Sequence, residues 1–339
     1  MKRLILLWIA VVLVLFAIPI LFTGKFLEKP TSTVAEQQQP QNETQEPAQE
    51  SKPYDYKQYG TVKVWHHKLE QIEELPIDTY LYGVVSAEMP ASFEKEALKA
   101  QAVVARTYTI YKIIHNAGKH DGADICDDST CCQAWISKED RLARWEESVR
   151  EEYWNKIVEA VEETKGKMIT YQGEPINAFF HANSGGSTEA PLNVWGGSGY
   201  PYLQAVQTAG EDAYTQYSSD ASFSKEEFVQ KIKEKHSEFE IDFTNPECIF
   251  IKEYTEGGRV KTVQIGNLSL SGVEVRCLLG LRSANFTVQI EGENIHFHVT
   301  GYGHGVGMSQ TGADSLAKQG KSYEEIIKHF YAGIEIQDM

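Results

Sequence analysis

The pattern of apolar and polar positions changes character along the chain. Leu4 to Phe22 is an uninterrupted apolar run without a charge, preceded by Lys2 and Arg3. About 19 residues at about 1.5 Å each match a bilayer core of about 30 Å. Basic residues ahead of such a run favour a cytoplasmic N-terminus. Ile20-Leu21-Phe22-Thr23-Gly24-Lys25 offers no A-x-A-like cleavage site, so residues 1–29 read as an uncleaved membrane anchor rather than a removed signal peptide. Residues 30–53 are rich in Gln, Glu, Pro, Thr and Ser and nearly lack large apolar side chains. They bury too little surface to fold and read as a flexible spacer. Residues 54–339 carry a globular pattern and, with this orientation, lie outside the cytoplasm.

Within that region Thr61 to Leu69 reads as a strand and Asp78 to Glu88 as a helix, with Leu81, Val84 and Val85 at helical spacing. Pro90 ends the helix, because a proline forces its predecessor out of the α region. Ser92 is the expected N-cap of a second helix through Ala97, Ala100, Val104 and Tyr108 to about Asn116, with Gly118 as its stop. Asp140 to Glu163 reads as one charged amphipathic helix. Met168–Tyr171 and Ile176–Ala182 are expected strands, and Ile249–Tyr254 with Val260–Ile265 and Phe286–Ile290 with Ile295–Val299 are expected hairpins. Ser224-x-x-Glu227 and Ser322-x-x-Glu325 are capping boxes, and terminal helices are expected near Ser309–Lys318 and Tyr323–Tyr331. Strands and helices without regular βαβ alternation give an α+β class, in one or two lobes with a substrate cleft.

The chain has 339 residues and a formal net charge of −16. That balance argues against nucleic acid, which requires clustered Lys and Arg. Four segments could carry chemistry. Glu88 ends an apolar helix, where the helix dipole and desolvation both raise a carboxyl pKa, as a general acid requires; a solvated helix-end glutamate is the plain alternative. Gly301-Tyr302-Gly303-His304-Gly305-Val306-Gly307-Met308-Ser309-Gln310 places alternating glycines before a helix. Glycine there lets backbone approach a ligand, or simply makes a turn. His120, Cys126 and Cys132, with Cys131 adjacent, offer zinc ligands or extracytoplasmic disulfides. Phe179 to Thr188 runs into a Gly-Gly turn bearing His181 and Ser184; Ser184 lacks a G-x-S-x-G context, so ligand contact is the better reading.

Together these segments resemble the stage II sporulation protein D (SpoIID) family. The resemblance is carried by Gly83-Val84-Val85-Ser86-Ala87-Glu88-Met89-Pro90, Glu96–Ala102, Ala105-Arg106-Thr107-Tyr108, Phe179–Thr188 and Gly303–Gln310. It implies a lytic transglycosylase of endospore-forming bacteria that cleaves denuded peptidoglycan glycan strands between MurNAc and GlcNAc during forespore engulfment. It implies Glu88 as the single catalytic acid and base, zinc held by His120, Cys126 and Cys132, and two partners, the amidase stage II sporulation protein P and the membrane protein stage II sporulation protein M. The intermembrane space between mother cell and forespore is the implied location. Thr311 stands where many relatives carry an aromatic residue. Arg106, His181, Ser184, Gly185, Trp195, Gly303, His304, Gly305 and Gln310 are the expected substrate contacts, Arg106 by shaping or charging the cleft. A peptidoglycan-binding scaffold that activates the amidase without cutting, and a zinc hydrolase, are the alternatives.

Overall fold

Two helices form the spine of the larger of two hydrophobic cores: α1 (Ile77–Glu88) and α2 (Lys95–His115). The computed structural model describes residues 59–115, 120, 122–197 and 199–339. The expected anchor, the spacer and the helix stop at Gly118 lie outside the described residues. Among the described residues no helix is long and apolar enough to cross a membrane. The architecture is mixed α+β.

Helix α2 is buried on every face from Ala100 to Ile110, the pattern of a helix through the middle of a core. Its hydroxyls are satisfied along the helix, Thr107 Oγ1 donating to the Val103 carbonyl and Thr109 Oγ1 to that of Ala105. The helix does not begin at a Ser92 cap. Its first turn instead gives the Glu94 N–H to Asp314 Oδ1 at 2.6 Å, so the free amide at its start is satisfied by a carboxylate 220 residues away.

Strand β1 (Thr61–His66) pairs antiparallel with β2 (Gln71–Pro76) and parallel with β3 (Ile125–Cys126), with Val64 opposite Ile125. β2 runs directly into α1. The charged helix expected over 140–163 is two helices, α3 (Lys138–Arg144) and α4 (Arg150–Glu162). Trp145 breaks it by turning extended; its ring packs edge-on against Tyr153 at 5.6 Å and its carbonyl accepts from Arg150. Strand β4 (Lys167–Tyr171) pairs with β5 (Glu174–Pro175). The strand expected over 176–182 survives only as β6 (Phe180–His181), because the Asn177 N–H is taken by the Tyr202 hydroxyl instead of a ladder partner. A short helix α5 (Pro191–Trp195) follows.

Residues 218–300 build the second core. It contains β7 (Ser218–Ser224), α6 (Lys225–Lys233), β8 (Ile249–Tyr254), β9 (Val260–Ile265), β10 (Leu268–Ser271), α7 (Gly272–Leu279), β11 (Phe286–Glu291) and β12 (Asn294–Thr300). Two antiparallel sheets, ordered β10-β9-β8 and β11-β12-β7, enclose Phe228, Phe286 and Phe297. Both expected hairpins are present. Ser224 caps α6 by accepting the Glu227 N–H, without the return bond of a full capping box. The chain returns through the glycine loop to β13 (Met308–Ser309), which pairs parallel with β6, and then to α8 (Gln310–Lys318), α9 (Tyr323–Phe330) and β14 (Glu335–Asp338) on β4. The Ser322–Glu325 capping box of α9 is complete. Buried Arg259 joins the two cores, its guanidinium donating to the carbonyls of Ser184, Ser187 and Gly257 at 2.8–2.9 Å.

Candidate functional site

Helix α1 stops at Glu88 because Met89, ahead of Pro90, is extended (φ −119°, ψ 143°). The half-buried Glu88 carboxyl therefore stands at the negative end of the helix. Two donors hold it: the Ala134 N–H reaches Oε1 at 2.7 Å, and Gln310 Nε2 reaches Oε2 at 3.1 Å. Burial pushes its pKa above the ordinary glutamate value, and the bonds from Ala134 and Gln310 pull the other way without cancelling the rise. Each carboxyl oxygen has a second lone pair beyond the one these donors occupy, so the protonated form is compatible with both bonds.

The two donors come from segments far apart in the chain. Ala134 follows the cysteine loop, in a segment pinned by Gln133, whose amide donates to the Tyr80 and Thr109 hydroxyls at 3.0 Å. Trp135 lies against Gly83 of α1, where an added Cβ would come within 2.2 Å of the indole nitrogen. The Gly83 of the apolar α1 motif is thus a packing requirement. Gln310 begins α8, capped by Ser309 accepting the Gly312 N–H. Its place is set by Glu211, a buried carboxylate that accepts from the hydroxyls of Ser184, Thr208, Ser309 and Thr311 and from the N–H of Ser184 and Gly186. Burial alone would raise the Glu211 pKa; the hydrogen bonds, led by Ser184, Ser309 and Thr208, outweigh it and hold the group below its ordinary value.

The expected contacts distribute unevenly around this site. Gln310 touches Glu88 itself, so its amide positions the acid. Ser184 is buried and its hydroxyl is committed to Glu211 and Thr208, which removes it as a free nucleophile or ligand contact. Arg106 does not line a cleft. It is fully buried and donates to Asp78 at 2.9 Å and to the carbonyls of Thr164, Val161 and Lys167, fastening α1 to the end of α4 and to β4. An all-buried helix leaves a cation on it no route to solvent, so it must meet its partners inside.

The glycine loop packs on its own chain. A Cβ at Gly303 would meet His181 Cβ at 2.8 Å, at Gly305 the Arg259 guanidinium at 2.3 Å, and at Gly307 the Phe179 carbonyl oxygen at 2.0 Å. All three glycines have positive φ. Close approach is their purpose, and the groups approached in this structure belong to the chain itself. Gly185 is likewise left-handed, against Thr300 and Gly301. His181 is buried, with Nδ1 on the Val306 carbonyl at 3.2 Å, and desolvation lowers its pKa to about 3. His304 is half-buried, accepts the Val306 N–H on Nδ1, and is likewise kept neutral by desolvation. Its ring lies 5.1 Å from Trp195, which is 49% exposed and 4.7 Å from Phe179. Trp195, Phe179 and His304 form a partly exposed aromatic face, with Tyr108 linking Phe179 to the cysteine loop through the Cys132 carbonyl.

His120, Cys126 and Cys132 are brought together, and Cys131 joins them; their ligand atoms lie within 4.8 Å of one another. All described cysteines are free thiols. Burial pushes the Cys126 and Cys132 thiols up, a balance that a bound cation reverses. The imidazole and thiolate donors suit zinc. Sequence reasoning did not find Ala134, Glu211, Asp314 or Arg259 as parts of this framework, since each acts through a contact between distant segments.

Residues 65–171 match the family model for stage II sporulation protein (SpoIID). Stage II sporulation protein D of Bacillus subtilis is 36% identical over 279 residues, which span 82% of this chain and 79% of that protein. An uncharacterised protein of Brachyspira hyodysenteriae is 32% identical over 270 residues, 79% of this chain and 68% of the relative. A Bacillus subtilis protein named amidase enhancer is 30% identical across 75% of this chain and 39% of its own length. Motif order, family model and identity over most of both chains agree, and the chain belongs to the stage II sporulation protein D family.

Proposed function

We propose that this protein is a peptidoglycan lytic transglycosylase acting on denuded glycan strands during sporulation. The observation that carries the reading is Glu88: one carboxyl with a raised pKa, at the end of a helix, held by an amide and a carboxamide. Hydrolytic glycosidases need two carboxyl groups, an acid and a nucleophile or base. A transglycosylase can manage with one. Protonated Glu88 gives its proton to the glycosidic O4 as the C1–O4 bond between MurNAc and GlcNAc breaks. The resulting carboxylate takes the proton of the same MurNAc's C6 hydroxyl, whose oxygen closes onto C1. The products are a 1,6-anhydro end and a free GlcNAc O4–H, Glu88 is protonated again, and no water is consumed. The C6 hydroxyl is already tethered to the reacting ring, which supplies its effective concentration. Ala134 and Gln310 fix the acid, and the face of Trp195, Phe179 and His304 would receive a sugar ring.

Zinc, held by His120, Cys126 and Cys132, would supply a cross-link within the 120–132 loop rather than a reacting group; neither donor to Glu88 is one of these residues. The protein would be tethered by residues 1–29 outside the cytoplasm, between mother-cell and forespore membranes, and act with stage II sporulation proteins P and M. A second reading, a glycan-binding scaffold that stimulates an amidase, is favoured by the likeness to the amidase enhancer. Incubating the full-length protein alone with denuded strands separates the two. The enzyme releases fragments with 1,6-anhydro ends by mass spectrometry; binding without new anhydro ends leaves the scaffold.

A further inference from the structure

We propose that Arg276 binds the free lactyl carboxylate of a stripped MurNAc and is the residue by which the site selects denuded strands. The proposal rests on the glycan reading above and adds to it the group recognised and the residue that recognises it.

Arg276 stands in the last turn of α7. Its side chain lines a pocket with Asn193, Gly303 and His304. That pocket adjoins the aromatic face, because His304 belongs to both and Asn193 lies on α5 two residues before Trp195. The base of the side chain is tied down: the Leu281 N–H donates to the Arg276 carbonyl at 3.0 Å, and Arg276 Nε donates to the Leu281 carbonyl at 3.4 Å. The two terminal nitrogens, with four N–H groups between them, meet no acceptor among the described residues. Burial works against the charge of Arg276, and the nearby groups that favour it are the Cys277 thiol and the Tyr302 hydroxyl, with no carboxylate among them. The carboxylate that does line the pocket, Glu189, is engaged elsewhere. It accepts from the Ala190 N–H at 2.8 Å, the Asn193 amide at 2.7 Å and the Thr255 hydroxyl, and its charge acts on Arg259. The chain has 48 Asp and Glu against 32 Lys and Arg, so acids are not scarce. A half-buried guanidinium without a carboxylate beside it lacks the counterion that desolvation calls for. Its planar fork fits a ligand carboxylate through two parallel bonds.

The chemistry of the strand supplies that carboxylate. Each MurNAc carries a lactyl ether whose carboxyl group is amide-bonded to the stem peptide. Hydrolysis of the amide consumes a water, releases the peptide with a free amino group and leaves the lactyl group as a carboxylate. A stripped strand therefore presents an anion where an unstripped one presents a neutral amide. The net charge of −16 does not draw such an anion in from a distance, so recognition has to be local. With a MurNAc ring against Trp195, the lactyl carboxylate pairs with Arg276; an amide offers one neutral oxygen and leaves the cation without a counterion. The reaction that supplies this substrate is thus an amide hydrolysis. An arginine with a structural task alone would complement the negative end of α7 and hold Leu281, a role indifferent to the charge of the glycan.

The test measures binding, with full-length Glu88→Gln protein in detergent so that nothing is cut. Labelled glycan oligomers of equal length are compared in three forms: lactyl groups free, capped as methylamides, or extended by an L-alanyl-D-glutamate dipeptide whose carboxylates are its own. The free form should bind about 10–100-fold more tightly than the methylamide, the size of one hydrogen bond to a charged group. Arg276→Gln in the same background should lose affinity for the free form only and bind the methylamide unchanged. Arg276→Lys, which keeps the charge without the fork, should recover part of the preference. Arg282→Gln, whose guanidinium lies 5.1 Å over the Tyr302 ring, should keep all of it. Equal affinity for the free and methylamide forms, or equal losses on both in Arg276→Gln, would overturn the proposal. So would a preference that disappears in Arg282→Gln instead, or a dipeptide form that binds as tightly as the free one. Should Arg276→Gln not fold, the preference of the parent protein and its fall in Arg276→Lys decide. Wild-type protein that releases no anhydro ends from the free oligomer would refute the transglycosylase reading and leave this comparison standing; binding of none of the three forms would refute the glycan reading and this proposal with it.

Discussion

Replacing Gln310 by leucine separates a residue that tunes the acid from one that binds the sugar. The Gln310 amide is nearly buried and donates to Glu88 Oε2 at 3.1 Å. A donor to a carboxylate stabilises its charged form, so removing it raises the Glu88 pKa further. A hydrogen bond to a charged group contributes about 1.5–3 kcal/mol, and about 1.36 kcal/mol corresponds to one pKa unit. Glu88 keeps its bond from Ala134, and its half-buried position lets water recover part of the loss, so the expected rise is about one unit. The leucine adds desolvation in the same direction. In the proposed reaction the first step needs protonated Glu88, so the rate falls as pH rises through its pKa. That alkaline limb should therefore move up by about one unit in Gln310→Leu, measured as kcat/KM for release of anhydro-ended fragments across the pH range. A limb that stays in place while KM alone rises would make Gln310 a substrate contact and refute this reasoning. A limb that moves down would contradict the donor geometry itself.

Arg106→Ala should destabilise the fold by about 3–5 kcal/mol in urea unfolding, because it removes the buried partner of Asp78, which keeps only Lys165 at 3.6 Å, and a donor to the carbonyls of Thr164 and Lys167; a stable but inactive variant would return Arg106 to the cleft. Glu211→Gln tests linkage. The folded Glu211 pKa is depressed, so its contribution is complete above the unfolded value of about 4.3 and is lost as pH falls toward the lower folded value. The wild-type melting temperature should therefore drop more steeply than that of Glu211→Gln between about pH 5 and about pH 3, and parallel curves would count against the buried carboxylate. Trp195→Ala should weaken glycan binding by about 1 kcal/mol with the melting temperature unchanged, since the ring is half exposed on the aromatic face; unchanged glycan affinity would remove that face from the site.

Local signals in the sequence were sufficient for some elements and not for others. The hairpins of β8 with β9 and β11 with β12 follow from alternation between turn residues, and the Ser322 capping box specifies the start of α9. The end of α1 at Glu88 follows from Pro90 alone. Strand β7 escaped because Ser-Ser-Asp-Ala-Ser-Phe-Ser has little strand propensity; its full register with β12 makes it a strand. The same reason hides the site's framework. Ala134 is 46 residues and Gln310 222 residues from the acid they hold, and nothing in either local pattern names a partner. Arg106 was not legible either: Ala100 to Ile110 includes Gln101, Thr107 and Thr109 beside it, and only the structure shows that the segment is buried on every face.

The mechanism turns on whether one side chain gives and takes the proton. Glu88→Gln keeps the size of the side chain and the contact with Ala134, requires the Gln310 amide to turn its oxygen toward the new NH2, and removes the acid. Mass spectrometry of denuded glycan treated with wild-type and Glu88→Gln protein should show 1,6-anhydro ends with the first and none with the second, at equal folded content. Anhydro ends released at the wild-type rate by Glu88→Gln would contradict it.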